Sequence, residues 1–426
     1  MAYRVIPSAG LRGQITPPGD KSISHRLLLF AALANGTSAI SGLLDGDDVR
    51  ATQHALGALG VQFNAKDGRL HVIPPTQGLM ARIEKPLWCG NSGTTMRLLT
   101  GLLAGQHVTA TLTGDVSLTR RPMGRIKTPL ELMGARVLCE GAKATAPVTV
   151  TRGATQGLRY RLPVASAQVK SSIILAGLQH GVQLHEPGQS RDHTERLLRH
   201  LGLDLFIDEN GWLNVAKMSN LPPFSLNVPG DMSAAAFWLV AGSIVRNSEL
   251  SINNVGLNPT RTGALDALFK MGADISVAPS DVGQSWEPKG TITVRTKHLH
   301  GTVLDGELAL RCLDEIPVLA VAAAFASGVS EFRDIGELRH KESDRIHSVA
   351  QGLSDMGVNV TEFDDGLRIH GGVNRQATTI NCAHDHRIAM AFAVAGVAGG
   401  DIRLSGAQSV QTSYPQFFHE LERLSV

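Results

Sequence analysis

The chain has few cysteines, few aromatic residues and almost no net charge. It holds four cysteines among 426 residues, none of them in a Cys-x-x-Cys pair, so neither a disulfide framework nor a cysteine zinc site is indicated. Aromatic residues make up 4% of the chain, which suits closely packed helices. A net charge of +2 gives no general argument for binding nucleic acid or membrane. Positive charge can therefore matter only locally.

Long apolar segments are also missing. The first residues have no apolar core of signal-peptide length. The longest clean apolar run, residues 318–326, is far shorter than the ~18 residues needed to cross a bilayer. We therefore expect a cytoplasmic protein with no membrane partner. A hydrophobic content of 43% supports large cores, and this length suggests two or three domains at roughly 150 residues each.

Several common catalytic and cofactor motifs are absent as well. There is no Gly-x-Gly-x-x-Gly and no Gly-Lys-Ser/Thr loop, so neither a dinucleotide site nor a P-loop is supported. No Gly-x-Ser-x-Gly turn surrounds Ser166, which argues against a serine hydrolase. His384 and His386 alternate as in some metal sites, but no third ligand follows at helical spacing, so no metal is expected.

What the sequence does contain is repetition. Six times, a polar segment opens an apolar helix, which is followed by a strand-like stretch, a second helix and another strand. The six units open at Gly19, Gly90, Ala165, Gly230, Asp314 and Asp385. Alternating helices and strands indicate an α/β fold, and a helix that is apolar all round is buried. We therefore predict a two-domain inside-out α/β barrel, with three repeats per domain, buried helices and outer sheets.

The first opening segment, residues 19–26, reads Gly-Asp-Lys-Ser-Ile-Ser-His-Arg. Either Asp20 or Ser22 can cap the helix that follows. A helix N-terminus attracts anions, and Lys21, Ser22 and Arg26 add side-chain donors at the same end, Ser22 and Arg26 being four residues apart on one face. An ordinary capped helix with solvated Lys and Arg side chains fits this octapeptide equally well.

The other opening and connecting segments carry further polar residues. They include Asn91, Ser92, Thr94, Arg120, Arg121, Ser166, Gln168, Arg191, Asp314, Glu315, Arg339, Lys341, Glu342, Arg345, His386 and Arg387. If the buried helices of a domain point their N-termini toward one end, these side chains converge in a cleft that traps more than one anion. Lys341 and Arg345 are four apart, which puts them on one helical face with Glu342 beside them. Asp314 and Glu342, held charged by Lys and Arg neighbours, could then transfer protons.

Five segments together resemble the EPSP synthase family of enolpyruvyl transferases. They are residues 19–26, 90–95, 121–124, 341–345 and 385–387. The similarity of any one segment is weak evidence, but the five segments occur in the family's order over essentially the whole chain. The resemblance implies two domains with chain crossovers near Asp20 and Asp231. Residues 20–230 would form one domain, residues 1–19 and 231–426 the other, and the active site would lie in the cleft between them.

The resemblance also implies an activity. Members transfer the enolpyruvyl group of phosphoenolpyruvate to the 5-hydroxyl of shikimate 3-phosphate and release phosphate, through a tetrahedral intermediate and without a metal or cofactor. The implied inhibitor is glyphosate, which occupies the phosphoenolpyruvate site. The implied partners are these small molecules, with no nucleic acid, and a monomer is expected.

The resemblance assigns residues by position. Shikimate 3-phosphate would contact Lys21, Ser22, Arg26, Ser166, Gln168, Asp314 and Lys341. Phosphoenolpyruvate would contact Lys21, Gly93, Arg121, Arg345 and Arg387. Asn91, Ala167 and Arg191 complete the implied substrate-binding set. Asp314 would take the proton of the 5-hydroxyl, Glu342 would deliver and later remove the methyl proton, and Lys21 would assist the leaving phosphate.

The chain departs from part of the family at two positions. Some members have a second Ser where Ala167 stands and a Lys where Thr412 stands, whereas this chain resembles the branch written Ser-Ala-Gln-Val-Lys, with Lys170. That leaves open which cation closes the site from the C-terminal side. In the same branch, glyphosate-tolerant members carry Ala at the position of Gly93. Gly93 therefore predicts a glyphosate-sensitive enzyme.

Two rival functions can be weighed from the residues. The sister enolpyruvyl transferase that acts on UDP-N-acetylglucosamine uses a Cys on a mobile loop, whereas the connector at residues 113–125 has none. A non-enzymatic protein of the same fold could bind phosphorylated ligands or RNA. Near-neutral charge and basic segments without interleaved aromatics argue against RNA.

Overall fold

The computed structural model describes residues 3–151, 153–218, 220–280, 285–372 and 376–426. Two compact units divide the chain. The N-terminal unit comprises residues 19–228, and the C-terminal unit comprises residues 1–18 together with 229–426. Within the described ranges, no helix is both long enough and apolar enough to cross a bilayer.

Six helices are almost completely buried, three in each unit. They are α1 (Lys21–Ala31), α3 (Gly93–Gly105), α5 (Ala167–Gly177), α7 (Met232–Ile244), α10 (Ile316–Phe325) and α12 (His386–Val397). Every residue of α12 is buried, and only the last residue of α7 and of α10 is not. Their sequences offer no polar face to solvent, which confirms the prediction of an α/β fold with buried helices.

The remaining helices are only partly buried. They are α2 (Asp47–Ala58), α4 (Gly124–Leu132), α6 (His193–His200), α8 (Gly263–Lys270), α9 (Gly306–Arg311), α11 (Arg345–Asp355) and α13 (Phe417–Leu424). Short 3₁₀ turns cover Leu118–Arg120, Leu313–Glu315, Gly336–His340 and Ala407–Thr412. In α11 the buried residues alternate with exposed ones at helical spacing, as expected for an amphipathic helix.

The described strands of the N-terminal unit form three sheets, each with four strands. The first runs β14 (Ser225–Asn227), β3 (Ser38–Ser41), β5 (Arg69–Ile73), β4 (Gln62–Lys66). The second runs β6 (Leu87–Trp88), β7 (Ala110–Thr113), β9 (Thr145–Thr151), β8 (Arg136–Glu140). The third runs β10 (Leu158–Arg161), β11 (Val182–His185), β13 (Leu213–Val215), β12 (Leu205–Ile207). In each, an edge strand is parallel to its neighbour and the other pairings are antiparallel.

The C-terminal unit follows the same scheme. One sheet runs β2 (Arg12–Ile15), β15 (Glu249–Gly256), β17 (Lys289–Arg295), β16 (Asp274–Ser280). A second runs β18 (Val303–Leu304), β19 (Val329–Phe332), β21 (Gly366–His370), β20 (Asn359–Phe363). The third has three strands in the described residues: β1 (Tyr3–Val5), β23 (Ile402–Ser405), β22 (Thr378–Asn381). Here β1, from the start of the chain, pairs antiparallel with β23.

Each full repeat has more strands than the sequence pattern indicated. A strand precedes the buried helix and pairs in parallel with the strand after it, and the repeat closes with a hairpin rather than a single strand. In two repeats the leading strands are exchanged. The strand that precedes α7 in the chain, β14, pairs with β3, and the strand that precedes α1, β2, pairs with β15. As a result, β14 completes a sheet of the N-terminal unit, and β2 completes a sheet of the C-terminal unit.

Two pairs of neighbouring helices pack closely at a glycine. A Cβ atom on Gly101 of α3 would lie 2.1 Å from the backbone oxygen of Ser172 in α5. Similarly, a Cβ on Gly352 of α11 would lie 2.2 Å from the ring of Phe392 in α12. Glycine therefore lets these helices approach at distances that any side chain would prevent.

Candidate active site

The buried helices of the N-terminal unit begin at capping side chains. Asp20 accepts the Ile23 N–H at 2.9 Å, Ser92 accepts the Thr95 N–H at 3.0 Å, and Ser166 accepts the Val169 N–H at 3.4 Å. Of the two candidates for the first cap, the residue that caps is Asp20. Each cap satisfies one of the otherwise unpaired amides of a helix start. The polar opening segments are thus held in defined conformations.

Arg26 is a buried cation that joins three helices. Its Nε donates to Thr194 Oγ1 and its Nη2 donates to Ser171 Oγ, both at 2.8 Å. Its Nη1 donates to the backbone oxygen of Ser22 at 2.9 Å, one helical turn away. A further contact, at 3.4 Å, reaches the backbone oxygen of Ala167. Arg26 and Ser22 therefore share a face of α1, and Arg26 ties that face to the starts of α5 and α6.

Lys21 lies beside a carboxylate that the sequence motifs did not single out. Its Nζ forms an ion pair with Asp48 Oδ2 at 2.9 Å, and the Lys21 side chain is 16% exposed. Asp48 comes from the first turn of α2. An adjacent carboxylate holds the ammonium in place while the residual exposure leaves it accessible to a ligand.

Arg97 is another residue of this region that the sequence motifs did not single out. Its Nη1 donates to Gln168 Oε1 at 2.8 Å, and Gln168 Nε2 donates to Thr94 Oγ1 at 2.8 Å. Another nitrogen of Arg97 donates to the backbone oxygen of Pro122 at 3.3 Å. Arg97 and Gln168 therefore join the opening turns of α3 and α5.

Gly93 sits between two guanidinium groups. A Cβ atom at this position would lie 2.6 Å from Arg97 Nη1 and 3.3 Å from Arg121 Nη1. Arg121 is 8% exposed and donates to Asn91 Oδ1, and Asn91 donates in turn to Asp115 Oδ2 at 2.6 Å. The absence of a side chain at Gly93 thus keeps two cations close to a helix N-terminus, an arrangement suited to an anion.

Ser166 and Arg191 belong to segments joined by a buried ion triad. Lys170 Nζ contacts Glu186 Oε2 at 2.7 Å and Glu195 Oε1 at 2.6 Å. Burial alone lowers the pKa of Lys170, but the attraction of Glu195 and Glu186 outweighs it and raises the pKa above its ordinary value. Arg191 is half-buried in the segment just before α6.

In the C-terminal unit, Asp314 lies among three cations. Arg345 Nη1 approaches Asp314 Oδ1 at 3.3 Å, and Lys341 Nζ approaches the same oxygen at 3.7 Å. Arg387 Nη1 donates to the backbone oxygen of Asp314 at 2.9 Å, with its Nη2 3.9 Å from Oδ2. The Asp314 side chain is 16% exposed. These four residues come from three separate segments of the chain.

Glu342 shares Arg345 with Asp314. Arg345 Nη2 donates to Glu342 Oε2 at 2.6 Å, and the Glu342 side chain is 18% exposed. The prediction that Lys341 and Arg345 share a helical face is wrong. Helix α11 begins at Arg345 after the cap Asp344, and Lys341 has an extended backbone after a 3₁₀ turn. The two cations meet at Asp314 because the loop folds back, not because of helical spacing.

Arg345 and Arg387 are both anchored by Asp385. Arg345 Nε donates to Asp385 Oδ2 at 2.8 Å, and Asp385 Oδ1 accepts the Arg387 N–H at 2.9 Å as the cap of α12. Burial alone would lower the pKa of Arg345, but the attraction of Asp385, Glu342 and Asp314 raises it. The Arg345 side chain therefore stays charged although it is only 1% exposed.

Each unit thus gathers its own group of predicted residues. The N-terminal cluster contains Lys21, Ser22, Arg26, Asn91, Gly93, Arg121, Ser166, Ala167 and Gln168, with Arg191 in the adjoining segment. The C-terminal cluster contains Asp314, Lys341, Glu342, Arg345 and Arg387. Chemically, the first offers cations and helix N-termini to anions, and the second combines cations with two partly exposed carboxylates. Among the described residues, no group of three or more His, Cys, Asp or Glu side chains is arranged to hold a metal ion.

Comparison with known proteins gives a consistent result. A family model described as EPSP synthase (3-phosphoshikimate 1-carboxyvinyltransferase) matches residues 5–421. The 3-phosphoshikimate 1-carboxyvinyltransferase of Synechococcus sp. strain JA-3-3Ab is 47% identical over 429 residues, covering 98% of this chain and 95% of the relative. The protein of the same name from Desulforudis audaxviator is 46% identical and covers 100% of this chain and 99% of the relative.

Solved structures agree with the sequence relatives. EPSP synthase from Acinetobacter baumannii has a TM-score of 0.85 at 39% identity, covering 100% of this chain and 98% of that one. The enolpyruvyl transferase NikO from Streptomyces tendae has a TM-score of 0.77 at 18% identity, covering 99% and 97% of the two chains. At that identity the second likeness concerns the fold alone.

Proposed function

Because this chain belongs to the EPSP synthase family, we propose that the N-terminal and C-terminal clusters bind the two substrates of one group transfer. The enzyme transfers the enolpyruvyl group of phosphoenolpyruvate to the 5-hydroxyl of shikimate 3-phosphate and releases phosphate, a step in aromatic amino acid biosynthesis. Both substrates carry a phosphate and a carboxylate. Lysines, arginines and helix N-termini are the groups that recognise such anions.

Shikimate 3-phosphate is assigned mainly to the N-terminal cluster. Lys21, Ser22 and Arg26 would hold it from α1, with Ser166 on its phosphate and Gln168 near its ring. Ala167 and Arg191 complete this part of the set. The rigid attachment of Arg26 to Thr194 and Ser171 supports the assignment, because a preorganised guanidinium loses little freedom when an anion binds.

Phosphoenolpyruvate is assigned to residues from both clusters. Lys21, Gly93 and Arg121 would contact it from the N-terminal unit, and Arg345 and Arg387 from the C-terminal unit. Asn91, which accepts a hydrogen bond from Arg121, completes this part of the set. The proposal therefore requires residues of both units to act in one reaction. The two guanidinium groups close to Gly93 support a phosphate position there.

The carboxylates supply acid–base chemistry. In the addition step, Asp314 takes the proton of the 5-hydroxyl, the hydroxyl oxygen bonds to C2 of phosphoenolpyruvate, and Glu342, in its protonated form, gives its proton to C3. In the elimination step, the Glu342 carboxylate takes a proton back from the methyl group, the C2–C3 double bond re-forms, and the bond between C2 and the phosphate oxygen breaks. The proton that Asp314 took passes to the released phosphate, which restores both carboxyl groups to their starting state. Lys21 assists the leaving phosphate, and Lys341 contacts the shikimate moiety next to Asp314.

One observation carries this assignment. Asp314 and Glu342 share the guanidinium of Arg345, at 3.3 and 2.6 Å, while both remain partly exposed. Two accessible carboxylates on one buried cation suit two proton transfers about a shared substrate. The proposal includes no metal or cofactor, no nucleic-acid or membrane partner, glyphosate as an inhibitor, a monomer and a cytoplasmic location.

Phosphate release tests the function directly. The purified chain is mixed with shikimate 3-phosphate and phosphoenolpyruvate, and inorganic phosphate is followed with time. We expect release that requires both substrates and yields the enolpyruvyl ether. A parallel assay replaces shikimate 3-phosphate with UDP-N-acetylglucosamine. Release only with the latter would identify the sister enzyme, and release with neither would indicate a binding protein.

A further inference from the structure

Glu186 connects two segments that carry assigned substrate ligands. It follows β11, and its Oε1 accepts the backbone N–H of Ser166 at 3.1 Å. The hydroxyl of Ser190 donates to the same carboxylate, with distances of 2.7 and 2.9 Å to its two oxygens. Ser166 begins α5, and Ser190 immediately precedes Arg191. A single carboxylate therefore fixes both the start of a helix and the segment of a neighbouring arginine.

This bonding determines what Ser166 can offer to a ligand. Its N–H is already donated to Glu186, and its Oγ accepts the Val169 N–H at 3.4 Å. A hydroxyl that accepts one bond still has its own hydrogen to donate. With backbone and side chain both held, that hydrogen is the donor that Ser166 can present to an anionic ligand.

Lys170 in turn holds Glu186. The Lys170 side chain is 4% exposed and contacts both Glu186 and Glu195, which are 13% and 8% exposed. One positive charge between two carboxylates leaves the triad with a single net negative charge. Without Lys170, two partly desolvated carboxylates would repel each other and any phosphate nearby. Lys170 therefore keeps Glu186 usable as an acceptor next to an anion site.

We propose that Glu186, held by Lys170, is a positioning residue that fixes Ser166 and the Ser190–Arg191 segment for binding of the shikimate 3-phosphate phosphate group. The inference rests on the proposed function, because it takes Ser166 and Arg191 as ligands of that substrate. Glu186 acts through Ser166 and Ser190 and has no assigned contact with either reacting group.

Glu195 provides a matched control. Like Glu186, it contacts Lys170, at 2.6 Å, but the described structure gives it no hydrogen bond to Ser166 or Ser190. Glu186→Ala and Glu195→Ala each remove one carboxylate from the triad. They differ in whether the two ligand segments lose their anchor. Any difference in substrate binding between the Glu186→Ala and Glu195→Ala variants therefore measures the positioning role of Glu186.

The experiment compares steady-state kinetics of the full-length wild type and both variants. We expect Glu186→Ala to raise KM for shikimate 3-phosphate roughly tenfold, with KM for phosphoenolpyruvate and kcat within about twofold, because binding is weakened equally in the ground state and the transition state. Glu195→Ala should leave KM for shikimate 3-phosphate within about twofold. Glu186→Gln, whose amide oxygen can still accept from Ser166, should recover part of the loss.

Ser190→Ala keeps the test decisive if Glu186→Ala does not fold. It removes one bond to Glu186 and leaves the ion triad intact, so KM for shikimate 3-phosphate should rise severalfold while kcat holds. Equal effects of Glu186→Ala and Glu195→Ala, or an unchanged KM in Ser190→Ala, would overturn the inference. A wild type that releases no phosphate would instead overturn the proposed function, so the two failures are distinguishable.

Discussion

The guanidinium of Arg345 donates to the carboxylate of Asp385 at 2.8 Å, and the two side chains are 1% and 0% exposed. Asp385 also accepts the backbone N–H of Arg387. One buried carboxylate therefore orients both arginines assigned to phosphoenolpyruvate in the C-terminal unit. Burial raises the pKa of Asp385, but the attraction of Arg345 outweighs it and lowers the pKa below its ordinary value.

Removing this carboxylate should affect both stability and binding. We expect Asp385→Ala to destabilise the protein by about 3–5 kcal/mol, because breaking a buried ion pair leaves an uncompensated charge. KM for phosphoenolpyruvate should rise as well, since both arginines lose their anchor. Urea unfolding and steady-state kinetics measure the two effects. Asp401, which pairs with Arg4 on the surface, provides the control, and Asp401→Ala should leave stability close to that of the wild type. Equal losses in the two variants would contradict the role given to Asp385.

Acid–base catalysis by Asp314 and Glu342 predicts a loss of turnover rather than of affinity. Asp314→Ala and Glu342→Ala should each lower kcat by about 10²–10⁴-fold. Glu331→Gln is a suitable control because Glu331 lies on strand β19, outside both clusters. Its carboxylate pairs with Arg333 and Arg368. Turnover within a few fold of wild type in either Ala variant would remove that carboxylate from the mechanism.

Gly93 should set the response to glyphosate. The wild type is expected to be inhibited in the micromolar range, because Gly93 adds no side chain that would crowd the inhibitor. In Gly93→Ala, the new methyl group would meet Arg97 at 2.6 Å and press toward Arg121, so the inhibition constant and KM for phosphoenolpyruvate should both rise. Gly57→Ala in α2, where a Cβ meets nothing within 4 Å, should match the wild type. A wild type resistant to millimolar glyphosate would contradict this account of Gly93.

His25 predicts a pH dependence of stability. Burial lowers its pKa well below 6.5, and the nearby positive charges of Lys21 and Arg26 lower it further. The unfolded chain therefore binds this proton first as the pH falls, so stability is full above about pH 6.5 and decreases below it, by up to about 1.4 kcal/mol per pH unit. Thermal unfolding of wild type and His25→Asn between pH 7.5 and 5.0 measures the difference in slope.

The exposed His54 gives the comparison for that experiment. His54→Asn should keep the wild-type slope, whereas His25→Asn should show a shallower one, even though loss of the His25–Thr52 hydrogen bond also lowers its stability at every pH. Parallel slopes in wild type and His25→Asn would show that His25 does not carry the effect.

Much of the fold could be predicted because the buried helices have an all-round apolar composition. That pattern requires burial wherever it occurs, as α10 and α12 show. The leading strands could not be predicted in the same way. β6 and β18 are two residues long, too short for a period of two to appear. The exchange of β2 and β14 depends on tertiary pairing, which no local pattern encodes.

The candidate site residues could also be predicted only in part. Residues within a motif, such as Lys21 and Arg26, could be selected from local spacing and helix-start chemistry. Their partners could not, because Asp48 pairs with Lys21 from 27 residues away and Arg97 meets Gln168 across 71. Lys341 and Arg345 show the reverse error, since helical spacing suggested a shared face where the chain is not helical. Charge partners from distant segments are visible only once the fold brings them together.

The central claim is that the two units act on one molecule of phosphoenolpyruvate. Arg121→Met removes a cation from the N-terminal cluster and Arg387→Met one from the C-terminal cluster, and Arg136→Met and Arg403→Met are exposed controls. The measurement is the affinity for phosphoenolpyruvate in the presence of saturating shikimate 3-phosphate. We predict that each cluster variant binds roughly tenfold or more weakly while both controls match the wild type. Wild-type affinity in either Arg121→Met or Arg387→Met would contradict the claim.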